Sequence, residues 1–514
     1  MLQDRRDFLR SAGAGALGVA GSLWRSPFAA AQIPTVVRSP YIQNLSRTAG
    51  TVLWTTREGG VAALEYSTDR SFSSGVTART REFLPAETGM ATYYQQEVRL
   101  NDLLPGTQYY YRVVHNGKTV LAGDDLSWRT AGSGPFTFLV FGDSGQATPA
   151  QLRVATAMLL EKPDLVLHTG DIAYASGTFE EFQRVFFNYY KEMLSRVPIF
   201  PCPGNHDYAT RSCGPYLTMY SLPFADVPPP DFGRYYSFDW GNVHFVSLDS
   251  NKPLADVDRG TGKMVEWLET DLANTRKFWK VVYFQHPPYS TGPNENTPES
   301  ALARRYITPV LDRYGVQVVF SGDEHNYQRT LPVFGGAAVA ADAGTVYVTT
   351  GGGGADLYNT NPNPLAAMSE SAHHYMRVTV QGTKLTARAI RPDGSEIEAV
   401  TLAPPPVISD LRVASAAPSS TTPVHRGTLT ILGRQLSAYE VTDSSYFPPN
   451  EVNGTVVHLD GRRLPLMYVS GDTIVALLRA TGRGQATVRV TTPNGWTETT
   501  TYFSSSPAAS FAVR

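Results

Sequence analysis

Five short polar segments each follow an apolar, strand-like run. They read Gly142-Asp143-Ser144-Gly145, Gly170-Asp171-Ile172-Ala173-Tyr174, Gly204-Asn205-His206-Asp207, Gln285-His286-Pro287-Pro288 and Gly322-Asp323-Glu324-His325. Together they offer four Asp, three His, one Asn, one Tyr and one Glu, enough donors for two adjacent metal ions. Anionic oxygens suit hard, highly charged ions, and imidazole suits zinc, iron and related divalent ions. A strand-end Asp can bridge two ions through its two carboxylate oxygens. Tyr174 follows Asp171 by three residues and can reach the same place as a phenolate, provided the ion there is acidic enough to take its proton. That condition points to a ferric ion. The Asn205 carbonyl would be a neutral ligand for a divalent neighbour. Two ions about 3.5–4 Å apart activate a water and hold phosphoryl oxygens. His206 would then be free to donate a proton to an ester. The chemistry suggested is hydrolysis of a phosphate ester.

Such segments need a scaffold that brings strand ends together. From Phe136 to about Leu402 short apolar runs (Phe136–Phe141, Asp164–His168, Pro198–Phe200, Val281–Gln285, Val316–Phe320) alternate with amphipathic stretches (Thr148–Glu161, Phe179–Ser195, Met264–Asn274, Glu299–Tyr314). Gly241-Asn242 between Tyr235–Trp240 and Val243–Leu248 is a hairpin signal. Repeated strand–loop–helix units predict an α/β core, whose ligands sit beyond the carboxyl ends of strands. Gly351–Gly354 lacks the Lys-Ser/Thr of a phosphate loop and reads as a tight backbone turn.

The ordered set resembles the purple acid phosphatases of the binuclear metallophosphoesterase superfamily, over roughly residues 33–400. The resemblance implies a phosphatase acting on small phosphomonoesters through a metal-bound hydroxide. It implies that Asp143, Tyr174 and His325 hold Fe(III), that Asp171 bridges, and that Asn205 and His286 hold a divalent ion. His206 becomes the outer-sphere acid or phosphate binder. Asp207 and Glu324 match no ligand position of the family. Two departures matter. The family's last segment is Gly-His-x-His, and Asp323 stands where its first His binds the divalent ion. A further family His after the His286 segment has no counterpart, because Tyr289–Ser300 contains none. With Asp143, Asp171, Tyr174 and a hydroxide, the centre carries a formal charge of about +1; adding Asp323 brings it to about 0. Asp323 as a ligand would shift the divalent preference from Zn toward Mn, Fe(II) or Mg. Alternatives are a phosphodiesterase or nucleotide hydrolase on the same site, and a non-catalytic binding protein with a decayed metal site.

The implied fold class is an α/β four-layer metallophosphoesterase sandwich flanked by two all-β immunoglobulin-like sandwiches. The divisions are 1–31, 33–131, 135–402 and 407–514. The first matches a twin-arginine export signal: Asp4-Arg5-Arg6-Asp7-Phe8-Leu9-Arg10, an apolar run from Ala12 to Trp24, and Ala29-Ala30-Ala31 for cleavage. It predicts export to the periplasm or beyond, without stable membrane insertion. The second resembles a fibronectin type III sandwich. The last, opened by Ala403 to Pro406, resembles the immunoglobulin-like domain of plexins and some transcription factors, with no partner implied. A net charge of −2 argues against whole-chain affinity for nucleic acid or anionic membrane. In an oxidising compartment the two cysteines, Cys202 and Cys213, are disulfide candidates that would clamp the Asn205–His206 loop. His168 and His244 read as core or supporting residues, and His373-His374 as a surface pair beginning a strand.

Overall fold

Alternating apolar strands and helices from Phe136 onward build two central sheets whose parallel strands aim their carboxyl ends at one region. The computed structural model describes residues 34–251, 262–341, 343–415, 427–445, 448–478, 484–503 and 508–511. The twin-arginine pattern and its cleavage site lie outside the described residues.

The first central sheet has six strands, ordered Ile199–Pro201, Leu165–His168, Phe136–Phe141, Tyr375–Gln381, Lys384–Ile390 and Glu396–Leu402. Its first three are parallel. The second has seven, ordered Tyr236–Trp240, Val243–Ser247, Trp279–Phe284, Val318–Ser321, Val346–Thr350, Tyr327–Thr330 and Ala366–Glu370, with a parallel block from Val243 to Thr350. Phe138 and Phe320, one from each sheet, meet edge to face at 6.4 Å in the shared core. Strands buried on both faces are expected where helices cover a parallel sheet. Phe179 to Leu194 is one helical segment, widened to a π turn over Phe182–Phe187. A capping box from Thr178 and Glu181 starts it.

An all-β region precedes the core. Its sheets carry Val36–Gln43, Gly50–Thr56, Tyr93–Leu100 and Arg79–Phe83 on one side, and Ser74–Thr77, Ala62–Ser67, Gln108–His115 and Lys118–Leu121 on the other. It is docked by backbone-directed bonds: Tyr41 Oη donates to the Met219 carbonyl at 2.6 Å and Tyr111 Oη to that of Ser195 at 2.7 Å. Arg211, in the loop after His206, reaches back to the Glu87 carbonyl at 2.7 Å. A second all-β region follows Val407, with a six-stranded and a four-stranded sheet sharing a core around Leu429, Ile431, Val457 and Val488. Asn494 Nδ2 ties it to the Thr383 carbonyl at 2.7 Å.

The hairpin predicted at Gly241-Asn242 forms between Tyr236–Trp240 and Val243–Ser247, with Gly241 at φ 56°. His244 locks it to the helix Lys263–Asn274. Its Nδ1 lies 2.8 Å from Asp239 Oδ1 and its Nε2 2.7 Å from Asp271 Oδ2. Burial opposes its charge, but the two carboxylates outweigh burial and raise its pKa to about 9. Because the folded value exceeds the ordinary 6.5, this stabilisation is complete below about pH 6.5 and is lost as pH rises through about 9. His244→Gln should therefore lower the unfolding free energy most at the acidic end, by an order of 1–3 kcal/mol. Thermal unfolding of both proteins across that pH range measures this, and an unchanged difference at all pH values would contradict it.

Candidate metal centre

Three of the five segments turn sharply as they leave their strands, and each turns at an aspartate. Asp143, Asp171 and Asp323 have φ of 54°, 52° and 65°. Left-handed backbone is costly for most residues but tolerated by Asp. The turns interlock: Asp143 N donates to the Gly170 carbonyl, and Asp323 N donates to Asp143 Oδ1 and Oδ2 at 3.1 and 3.0 Å.

On one side of the centre, Tyr174 Oη lies 3.2 Å from both Asp143 Oδ1 and His325 Nε2. His325 Nε2 is 3.7 Å from Asp143 Oδ1. The His325 ring is oriented by its Nδ1, which donates to the Asp356 carbonyl at 2.6 Å. A carbonyl only accepts, so Nε2 is the nitrogen free to ligate. Tyr358 stacks on the same ring at 4.1 Å and 13°.

On the other side, His206 N donates to Asp171 Oδ1 at 2.9 Å, and Gly204 packs so closely on Asp171 that a Cβ would lie 2.1 Å from its N and Oδ1. Asn205 sits exposed between them. His206 Nδ1 donates to the Ala175 carbonyl at 2.7 Å, and its Nε2 is 3.9 Å from Asp171 Oδ2. Its side chain is 37% exposed, so it borders solvent. His286 is buried, and burial lowers its pKa to about 4, which keeps the imidazole neutral.

The electrostatics show what the cluster lacks. Burial raises the Asp143 pKa well above the ordinary value, helped by Asp171 and Asp323. Burial raises Asp171 to about 7 and Asp323 to about 8, the latter with help from Asp171, Glu324 and Glu299. Tyr174 is pushed up by burial and then by Asp171 and Asp143, so it keeps its proton unless a strongly polarising cation replaces it. Gathered buried carboxylates without a basic side chain suit bound cations. Among the described residues, no three His, Cys, Asp or Glu side chains by themselves form a closed ligand set. The donor set includes the Tyr174 phenol and the Asn205 amide, which lie outside those types. With the phenol counted, Asp143, Tyr174 and His325 fit one ion beside Asp171.

Several residues contribute that the sequence does not single out as ligands. Gln285 Nε2 donates to Asp143 Oδ1 at 3.0 Å, while its buried Oε1 has no partner. Asp207 is fully buried and accepts from the N–H groups of Gly204, Ile172 and Ala173, stitching two segments together. Glu324 accepts from Ser290 Oγ and Asn294 N, both at 2.7 Å, and so fixes the loop after His286. Ser250 Oγ lies 2.6 Å from His286 Nδ1.

The structure sharpens one expectation and corrects two. Gly351–Gly354 is a close-approach element: a Cβ on Gly351 would lie 2.3 Å from the Glu324 carbonyl, and one on Gly353 2.2 Å from that of Gly142. His374 is no surface residue; it is fully buried, with Nδ1 2.9 Å from the Ala372 carbonyl, because Gly352 leaves room for its ring. Cys202 and Cys213 are both buried as free thiols, and burial holds their pKa values well above the ordinary range. Their loop is clamped instead by Arg211 on Glu87, Thr210 on the Ser176 carbonyl and the Asp207 network.

Residues 136–327 match the family model described as calcineurin-like phosphoesterase, and residues 39–133 the purple acid phosphatase N-terminal domain. The chain is 29% identical over 342 residues to an uncharacterized protein of Mycobacterium tuberculosis, covering 55% of this chain and 62% of that protein. It is 29% identical over 298 residues to purple acid phosphatase 21 of Arabidopsis thaliana, covering 55% and 64%. It thus spans less than two thirds of the length of these relatives. Among solved structures, a purple acid phosphatase from yellow lupin (Lupinus luteus) seeds shares the fold, with a TM-score of 0.61, 22% identity and coverage of 71% of this chain and 74% of that one.

The crowded carboxylates have folded pKa values above their unfolded ones, so the metal-free protein should lose stability as pH rises through about 7 to 8. Adding Mn²⁺ or Zn²⁺ should raise the unfolding midpoint again by mass action. Asp323→Asn should reduce the alkaline loss. Thermal unfolding with and without chelator checks this; a metal-free midpoint that neither falls with pH nor responds to ions would contradict it.

Proposed function

We propose that this chain, which belongs to the purple acid phosphatase family of metallophosphoesterases, hydrolyses phosphomonoesters of small molecules at a centre of Fe(III) and a divalent ion. The observation that carries the reading is the convergence of Asp143, Tyr174 and His325 on one side of Asp171, with His206 on its other side. In this reading Asp143, Tyr174 and His325 would hold the ferric ion, Asp171 would serve both ions, and Asn205, His286 and Asp323 would hold the divalent ion. When bound, the pair would activate a water molecule and neutralise the phosphoryl oxygens.

The protein's own residues supply the rest. His206 donates from Nε2 to the leaving oxygen, its ring held by the Ala175 carbonyl. Gln285 and the Asp323 N–H hold the Asp143 carboxylate in place before any ion arrives. Asp323 adds an anion on the divalent side, which favours Mn, Fe(II) or Mg over Zn. Its left-handed backbone also accepts His, so Asp323→His is a fair substitution to compare.

The all-β regions are read as fibronectin type III-like and immunoglobulin-like modules; their paired antiparallel sheets support this. Export rests on the Asp4–Arg10 pattern. No helix among the described residues is long and apolar enough to cross a membrane. A diester substrate on the same centre is the second reading, favoured by the anionic Asp323, which weakens attraction for a dianion.

Elemental analysis paired with an aryl-phosphate assay tests the proposal. Iron plus a second metal and turnover of the monoester are expected; neither metal, or no turnover at any pH or metal, would sink it. Tyr174→Phe should abolish a visible charge-transfer band. His206→Ala should lower kcat by about 10²-fold or more. Asp323→His should raise activity with Zn relative to Mn, and an unchanged metal profile would remove Asp323 from the ligand set.

A further inference from the structure

Three histidines belong to the segments assigned to the centre, and their rings are held differently. Backbone carbonyls fix His325 and His206, those of Asp356 and Ala175 respectively. His286 relies on a side chain. Ser250 Oγ is 2.6 Å from its Nδ1, and the same oxygen accepts from the His286 backbone N–H at 3.1 Å. Ser250 is fully buried, so water does not compete for that oxygen. Among the described residues His286 Nε2 has no hydrogen-bond partner, which leaves it as the nitrogen able to ligate. Ligation through Nε2 puts the ring proton on Nδ1, and a hydroxyl can accept that proton.

Ser250 lies in a turn that does more. Asn251 Nδ2 donates to the Pro203 carbonyl at 3.2 Å, two residues before Asn205. Asp249 accepts from Tyr208 Oη, at the end of the short helix Asn205–Tyr208, and from Asn251 N at 2.9 Å. Arg234 pairs with Asp249 at 3.7 Å and also bonds Tyr208 Oη. Three consecutive residues therefore grip two of the three loops assigned to the divalent ion, those of Asn205 and His286.

We infer that Ser250 is a positioning residue for the second, divalent ion, and that the Asp249–Asn251 turn sets the affinity of that ion without setting that of the ferric one. The inference rests on the binuclear reading above. Removing the hydroxyl leaves a buried Nδ1–H without an acceptor and frees the ring to turn.

The test uses the full-length protein loaded with iron, titrated with Mn²⁺ against a competing chelator. Ser250→Ala should weaken Mn²⁺ binding by about 10- to 100-fold, the range typical for residues that orient metal ligands. The ferric–tyrosinate band should stay unchanged, and Ser250→Thr, which keeps the hydroxyl, should recover most of the affinity. Asn251→Ala should also weaken Mn²⁺ while leaving the band intact. Wild-type Mn²⁺ affinity in Ser250→Ala, or equal loss of the iron band, would overturn the inference while the binuclear reading stands. Failure of the wild-type protein to take up any second ion would overturn both.

Discussion

The constraint on which the rest depends is the crowding of buried negative groups. Asp143, Asp171 and Asp207 are at most 2% exposed, and Asp323 and Glu324 press on the same space. Among the described residues no Lys or Arg pairs with Asp143, Asp171 or Asp323; the imidazoles of His325 and His206 lie 3.7 and 3.9 Å from Asp143 and Asp171. Isolated buried charges of this kind cost several kcal/mol each unless compensated. Backbone N–H groups and neutral side chains hold Asp207, Asp143, Asp171 and Glu324, but among the described residues no Lys or Arg offsets the charge crowded at Asp143, Asp171 and Asp323. Such an arrangement is unfavourable for a protein with no use for cations, and favourable for one that holds two.

The scaffold follows from that requirement. Parallel strands from both sheets deliver their loops to one place, and left-handed aspartates bend three of these loops sharply. Close contact between loops demands glycine where the backbones meet, as at Gly351 and Gly353. The helices and the two all-β regions hold these loops from outside: His244 ties the hairpin to its helix, and Arg211 joins the His206 loop to the preceding region. The turn after Val243–Ser247 then couples the loops of Asn205 and His286. Rigidity therefore comes from many small, directed bonds, which fix the proposed ligands in place without any ion.

The order of the five segments made the centre legible, because each pairs an apolar run with polar donors in a recognisable frame. The strands carried their own signal, and most observed boundaries fall within two residues of the expected ones. What stayed hidden had no pattern to show. Ser250 and Asn251 are single polar residues after a hairpin strand, and their partners are distant in sequence. Gln285 reads as part of its strand, and its contact with Asp143 exists only once the sheets pair. The glycine run betrayed a special backbone but not which loops it touches. His374 looked exposed beside His373 because nothing local reveals the space that Gly352 leaves. The cysteine pair looked like a clamp because the spacing and an export-like N-terminal pattern stand in the sequence, whereas the hydrogen bonds that already hold that loop do not.

Anomalous X-ray diffraction from crystals of the metal-loaded protein tests the central claim most directly. Data collected on both sides of the iron edge should show two metal peaks about 3.5–4 Å apart. Asp171 should lie between them, Tyr174 on the iron peak and His286 on the other. A single peak, or metal bound away from Asp143 and Asp171, would contradict the account.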